Sequence, residues 1–385
     1  MPQSVSLQHV LNFLTLPSNS MKLAHISTCY KPIVGGQEVY IKNLQEVLKN
    51  DGVEAVVYQP DRGARDVDVI PVWRMKGFPR LIPGSDGQMF NVCLKMFHGR
   101  ELNQYDVIIS HYALHAWPLR KYAKKTIVLS HGVEWHIENQ TWNDRQREGS
   151  ARKCLDGFTH VVNDTHYLRH FGYDVKPAEG FFTEVSPGKW FIPNCVDTDY
   201  FCPGEGHQTL KGKRVILVPR QMVPDRGIDL AIKAFAEVLK QDNSLEMCLL
   251  GNKPSGDYVT YLDQLIVDLN LSEKVYFSKG VANAEMLTWY NGALVTVIPT
   301  LRREGTSLSA LESMSCGVAT VSTNVAGLAD LPTVQCEPEK NALAKAIFDT
   351  VKNREKIGER QRAEVLKTFN MKNWAAAWLK VISSI

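Results

Sequence analysis

Short apolar runs alternate along this chain with longer stretches in which apolar positions recur every three to four residues, and the alternation occurs twice. In the first half KLAHIST, EAVVYQP, VDVIPVW, YDVIISH, TIVLSH, HVVND and KWFIPN read as strands, with helical stretches such as GQEVYIKNLQEVLKN between several of them. In the second half RVILVPR, LEMCLLG, KVYFSKG, ALVTVIP and ATVST play the same part, separated by helices such as DLAIKAFAEVLKQ and YVTYLDQLIVDLN. A strand that is apolar on both faces and is followed by a helical crossover belongs in a parallel sheet covered on each side. The pattern predicts an α/β protein of two doubly wound, Rossmann-like parallel-sheet domains facing across a cleft. The cleft lies at the carboxyl ends of the strands, where such sheets bind ligands.

Breaks in the pattern set the boundaries. Residues 1–20 read as an extension, because HVLNFLTL has no preceding cation and is too short to cross a bilayer; a short docked helix is the other reading. The first domain spans 21–200. The segment 201–213, rich in Pro, Gly and charge, is the expected linker. The second domain spans 214–370, and NWAAAWLKVISSI makes 371–385 an amphipathic terminal helix.

Composition narrows the class. With 385 residues, 44% of them hydrophobic, the chain is long enough for two full cores. A formal charge of +3 without a run of like charges does not point to nucleic acid. Eight cysteines without a C-x-x-C pair suit buried thiols in a reducing, cytoplasmic setting better than a disulfide framework or a zinc site.

The chain has neither a G-x-x-x-x-G-K-[ST] loop nor a well-placed G-x-G-x-x-G, so the usual phosphate cradles of ATPases and dehydrogenases are missing. Gly35 and Gly36, between the first strand and the first helix, form either an anion-binding set of backbone N–H groups or a tight turn. VPRQMVPDRGIDL places Arg220 after a strand and Arg226 at the entrance to a helix. They are a diphosphate clamp or a solvated pair. In REGTSLSALESMSCG, Glu304 and Glu312 stand eight positions apart. On one helix that spacing means about 12 Å of rise and roughly 80° of offset, so the carboxylates cannot share a proton or a metal. Gly305 opposes a helix and Thr306 and Ser307 favour an N-cap, so Glu304 belongs in the loop and Glu312 on the helix, gripping different parts of one ligand. The alternative for Glu312 is a capping box with Ser309. The DTD at 197–199 lies in linker sequence, and no metal-ligand cluster appears elsewhere; no metal and no cofactor are expected.

In these stretches the chain resembles the retaining, nucleotide-sugar-dependent glycosyltransferases of family four, which have the GT-B fold. The resemblance covers roughly residues 22–385. EGTSLSALESMSCGVATVSTNVAGL is similar to the family's signature of two glutamates separated by seven residues. IPNCVDTDYFCPG resembles its interdomain segment, with Cys195 where Gly is usual. RQMVPDRGIDLAIKAF resembles its Arg to Lys-Gly stretch, with Arg226 in place of Lys. PIVGGQEVYIKNL and SHGVEWH resemble its glycine loop and its histidine loop. The resemblance implies that Glu304 and His131 act at the donor sugar. It also implies that Arg220, Arg226 and the loop Gly305, Thr306, Ser307 and Leu308 hold the diphosphate, that Glu312 binds the ribose, and that the terminal helix crosses back to the first domain. His111, His115 and His136 lie in comparable loops, but no motif distinguishes them.

The function implied is retaining, metal-independent transfer of a sugar from a nucleoside diphosphate to a glycan, lipid or small-molecule acceptor. A nucleotide-sugar epimerase, a phosphorylase of the same fold and a binding protein without catalysis are the alternatives. WRMKGFPRLIPG and WPLRKYAKK mix aromatic and basic residues. They suit an anionic lipid surface at the inner face of a membrane, a phosphorylated acceptor, or an ordinary solvated face.

Overall fold

The structure is a computed structural model that describes residues 20–33, 35–73, 86–175, 182–252 and 256–385. Nearly all of the expected extension 1–20, and WRMKGFPRLIPG beyond Trp73, lie outside the described residues. The rest divides into two compact units. The first holds the described residues up to Val162, with Glu184–Ile192 and Ala375–Ile385; the second holds those of Asn163–Thr183 and Pro193–Trp374. Residues 201–213, expected as the linker, thus fall inside the second unit, and the chain changes unit beside Val162, Thr183, Ile192 and Trp374.

The first unit is built on strands β1 (Met21–Ile26), β2 (Val53–Pro60), β3 (Val69–Val72), β4 (Val107–Ser110), β5 (Thr126–Ser130), β6 (Thr159–Val162), β7 (Thr183–Ser186) and β8 (Lys189–Phe191). Their order in the sheet is β3-β2-β1-β4-β5-β6-β8-β7. Its helices include α1 (Gly36–Lys49), α2 (Asp86–Cys93) and α3 (Trp142–Gly157). Central strands β4 and β5 are buried at every position, as their uninterrupted apolar sequences require. β7 was not expected, and the reason is visible in TEVS: it carries no apolar pattern, and its residues are exposed or half-buried.

The second unit repeats the plan with β9 (Arg214–Pro219), β10 (Leu245–Leu250), β11 (Val275–Ser278), β12 (Val295–Ile298), β13 (Thr320–Thr323) and β14 (Val334–Cys336), in the order β11-β10-β9-β12-β13-β14. β14, three residues at the sheet edge, is the other strand absent from the expected set. The helices are α4 (Thr165–His170), α5 (Ile228–Leu239), α6 (Asp257–Asp268), α7 (Met286–Gly292), α8 (Leu308–Ser315), α9 (Lys340–Lys352) and α10 (Arg354–Thr368). The last helix, α11 (Met371–Ile382), changes unit between Trp374 and Ala375.

α5 shows how sequence becomes packing. Its residues Ile228, Ala231, Ile232, Phe235 and Val238 form one stripe, and all are fully buried in the core of the second unit. Truncating Phe235 to alanine would cost about 3–5 kcal/mol. The helix starts at Gly227, whose φ of +67° favours glycine and where a Cβ would lie 1.9 Å from the Pro299 carbonyl oxygen. That close approach brings the loop after β9 against the loop after β12.

In both sheets the strand order reverses beside the first strand, between β1 and β4 and between β9 and β12. Loops leaving the carboxyl ends there diverge and leave a crevice, the usual ligand position in doubly wound sheets.

Candidate functional site

The crevice of the second unit is framed by the loops after β9 and β12. Their contact at Gly227 is reinforced by Leu301 N donating to Asp225 O at 3.0 Å, and by the ion pair of Arg303 with Asp225 at 2.7 Å. Arg220 and Arg226, read from the sequence as a clamp, converge here on a single atom. Arg220 Nη2 and Arg226 Nη1 both donate to Glu304 Oε2. Arg220 Nη2 also donates to Thr300 Oγ1 at 3.1 Å, and Arg226 Nη1 to the Arg303 carbonyl at 2.8 Å. The residues expected to grip sugar and phosphate separately are one ion-paired cluster. Side-chain exposure is 8% for Arg220, 10% for Glu304 and 32% for Arg226, so Arg226 is the more exposed of the two arginines on Glu304. With Arg303 and Asp225 included, three cations stand against two carboxylates, which leaves one positive charge in excess.

Beyond Glu304 the chain turns into α8. Ser307 is the N-cap, and its Oγ is buried without a hydrogen-bond partner, as is Arg220 Nε. Thr306 Oγ1 donates to the Asn163 carbonyl, Asn194 Nδ2 donates to the Thr306 carbonyl, and Asn163 Nδ2 donates to Asn194 Oδ1 at 3.2 Å. The Thr306 hydroxyl is therefore a latch, and Thr306, Gly305 and Leu308 offer only backbone to a ligand. Gly327 supports the loop from behind: its N–H donates to Glu304 O at 3.0 Å, and a Cβ there would lie 2.4 Å from the Gly305 carbonyl carbon. The first N–H groups of α8 have no intrahelical acceptor and face the cluster with the positive end of the helix.

Glu312 sits on α8, buried, accepting from Tyr290 Oη at 2.8 Å and Asn283 Nδ2 at 3.2 Å. Burial raises its carboxyl above the ordinary range, opposed by these two donors. It makes no capping contact with Ser309, because the helix is capped at Ser307. The DTD segment is an Asx turn, with Asp197 Oδ1 accepting from the N–H groups of Asp199 and Tyr200. Cys195, the departure from Gly, is buried with Sγ 3.2 Å from Met371 Sδ. Among the described residues no group of three or more His, Cys, Asp or Glu could hold a metal ion.

The first unit's crevice is different. His131 follows β5, and its Nε2 lies 3.0 Å from His111 Nδ1; His111 Nε2 lies 2.9 Å from His25 Nδ1 on β1. Burial lowers all three: His25 and His131 to about 3, and His111 well below its ordinary value. The Tyr40 ring stands edge-on to His131 at 4.9 Å, and Trp378 Nε1 on α11 donates to Tyr40 Oη at 3.0 Å. His25 and Tyr40 escaped the sequence reading, which named His111 but gave it no role.

Gly35 and Gly36 open α1 as expected, but the Gly35 N–H donates to Glu38 Oε2 at 3.1 Å. A carboxylate from the same helix thus occupies a group expected to meet an anion.

Comparison with known proteins accords with this geometry. Residues 34–171 match the family described as Glycosyltransferase Family 4, and residues 205–363 match Glycosyl transferases group 1. A D-inositol 3-phosphate glycosyltransferase of Paenarthrobacter aurescens is 27% identical over 76% of this chain and 77% of its own length. An MMP alpha-(1->4)-mannosyltransferase of Mycolicibacterium hassiacum is 27% identical over 51% of this chain and 49% of its own length. Among solved structures, the sucrose-phosphate synthase of Thermosynechococcus elongatus superposes with a TM-score of 0.73 at 19% identity, covering 92% of this chain and 96% of that one. Anabaena HepE in complex with UDP and glucose gives 0.73 at 16% identity, covering 95% and 100%.

Proposed function

Because the chain belongs to the family-four-like glycosyltransferases of GT-B fold and is a hexosyltransferase, we propose that it takes its sugar from a nucleoside diphosphate and transfers it with retention of anomeric configuration. The cluster before α8 is the observation that carries the donor class. An excess positive charge, a helix N-terminus and two buried polar atoms without partners, Ser307 Oγ and Arg220 Nε, meet where an anion is stabilised.

In this reading Arg220 and Arg226 hold the leaving diphosphate together with the backbone of Gly305 to Leu308. Glu304 and His131 orient the sugar, and Glu312 accepts from the ribose hydroxyls through its remaining lone pairs. Gly35 and Gly36 add backbone N–H groups once a phosphate displaces Glu38. Donor binding would draw the arginines from Glu304 toward the phosphates and free that carboxylate for the sugar. The departing phosphate oxygen, stabilised without a metal, accepts the acceptor's proton as the hydroxyl attacks from the same face. The acceptor is a small molecule, glycan or lipid hydroxyl, and D-inositol 3-phosphate, named for several relatives, is the first to try.

Incubation with a panel of nucleotide sugars and product analysis tests the donor class; turnover with none of them, but with a sugar 1-phosphate, would favour a phosphorylase. NMR of the first-formed product from an α-linked donor is expected to show an α-linkage, and a β-linkage would overturn retention.

Peripheral contact with an anionic lipid surface on the cytoplasmic side is the second element of the proposal. Trp73, Met96, Phe97 and Trp117 are all exposed, with the Trp73 and Phe97 rings 5.9 Å apart and Lys95 Nζ 4.5 Å over the Trp117 ring. Among the described residues no helix is long and apolar enough to cross a membrane. Flotation with vesicles containing anionic lipid, lost on Trp117→Glu, is the expected result; equal flotation with neutral vesicles would overturn it.

A further inference from the structure

The three histidines of the first unit form a line from the core to the crevice. His25 and His111 are fully buried, and His131 is partly exposed. Two ring-to-ring hydrogen bonds join them, at 2.9 and 3.0 Å, and the His111 and His131 ring planes lie within 12° of parallel, edge to edge. The position of His111 is fixed by backbone, since its N–H continues the β1 ladder by donating to Ile26 O at 3.0 Å.

Such a line has few states. Burial disfavours the charged form of each ring, so each carries one N–H. The middle ring must donate on one side and accept on the other. Either every N–H points inward, or every N–H points outward. The inward arrangement ends on His25 Nε2, a buried atom that finds no hydrogen-bond partner. It would leave an N–H donor stranded in the core, and orphaned buried donors are the rarer kind. The outward arrangement leaves only a bare nitrogen at that point. Its other end is an N–H on His131 Nδ1.

We propose that His25 and His111 are positioning residues that lock His131 in the Nδ1–H tautomer, so that it presents a hydrogen-bond donor to an oxygen of the sugar being transferred. This rests on the reading of His131 as a sugar-orienting group. The relay matters because an unassisted imidazole exchanges tautomers and offers a donor only part of the time. Here the choice is made by hydrogen bonds to groups that never meet the substrate, in the way that partners on the far nitrogen set the tautomer of other working histidines. The in-plane hydrogen bond to His111 and the edge contact of Tyr40 hold the ring plane, while the relay decides which nitrogen carries the proton.

The test is long-range nitrogen–proton NMR on the ligand-free full chain labelled at histidine, with the His131 signals assigned by their loss in His131→Gln. The proton is expected on Nδ1 in the wild type. It should stay there in His111→Asn, whose side-chain amide still donates toward His131 Nε2, with turnover retained within a few-fold. In His111→Leu the tautomers should mix, and kcat should fall about ten-fold with the donor KM little changed. A wild-type proton on Nε2, or an unaltered tautomer in His111→Leu, would overturn the relay even if His131→Gln is inactive. Full activity of His131→Gln would overturn both the relay's purpose and the role given to His131 above.

Discussion

At the gap between β1 and β4 the first unit carries three neutral histidines in a row; at the matching gap between β9 and β12 the second carries two arginines closed on one glutamate. The strand orders around the two gaps are the same, so the backbone alone does not explain the contrast. The side chains differ in what burial does to them. A desolvated imidazole gives up its charge and keeps a directional hydrogen bond. A guanidinium cannot be neutralised at ordinary pH, so burial forces it to find an anion. The first crevice is thus equipped to orient neutral hydroxyls, and the second to stabilise negative charge. In the proposed transfer the charge develops on a leaving diphosphate, and that reading assigns it to the second.

The strongest way to break this comparison is to neutralise the ionic gap. Glu304→Gln leaves the arginines without a counter-charge and, in the proposed role, the sugar without its carboxylate. A fall in kcat of about 10²-fold or more is expected, comparable with removing one stabilising group from an electrostatic site. Turnover within a few-fold of wild type would show that the ionic cluster is structural. No covalent sugar should be trapped on either form, as read by mass spectrometry of the intact chain.

Arg220→Ala and Arg226→Ala sharpen the same point by separating binding from chemistry. Each should weaken nucleoside-diphosphate binding by about 1.5–3 kcal/mol, the range for hydrogen bonds to charged groups. Calorimetry reads this directly. Arg220→Ala should also lower the melting temperature more, since the less exposed arginine leaves a buried carboxylate short of a partner.

The two units should also respond to acid in opposite senses. In the first unit burial lowers His25, His131 and His160 to about 3 and His115 to about 4, with His111 lowered as well. Once the pH falls below about 6.5, the unfolded chain takes up protons that the folded chain refuses. Stability is then lost by up to about 1.4 kcal/mol per pH unit for each such histidine. Glu134, raised by burial to about 8, opposes them. In the second unit burial raises Asp164 to about 7 and raises Glu312 and Asp330, three carboxyls against one histidine, His166, that burial lowers. Their contribution is largest in acid and falls as the pH rises through these values. Urea unfolding at pH 7 and pH 5, read by pulsed hydrogen exchange at one labelling pH, should show the first unit losing protection first at pH 5. Equal loss in both units would remove the contrast.

The smallest expected effect is none. Transfer should persist in excess EDTA if, as proposed, arginines and helix N–H groups stabilise the leaving phosphate. Loss of activity restored by a divalent cation would sink that expectation.

The linear order of apolar runs was enough to determine the two parallel sheets, because buried crossover strands must be apolar on both faces, whatever their neighbours. It also put Arg220 after a strand, Arg226 at the entrance to a helix and Glu304 in the loop before the next one. β7 and β14 were illegible because edge strands need no apolar alternation. Only the tertiary structure decided that the three charged residues are mutual partners. They are up to 84 positions apart, and pairing depends on two loops meeting at Gly227, an approach that no local pattern encodes. The same holds for the histidine line: His25 lies on β1 and His111 and His131 directly follow β4 and β5, and only the register of these strands makes neighbours of them. It holds too for Asn163, which the chain order assigns to the first half but which packs with the second unit to latch Thr306. Secondary structure follows from local periodicity; a site follows from which loops end up adjacent, and that is settled by long-range packing.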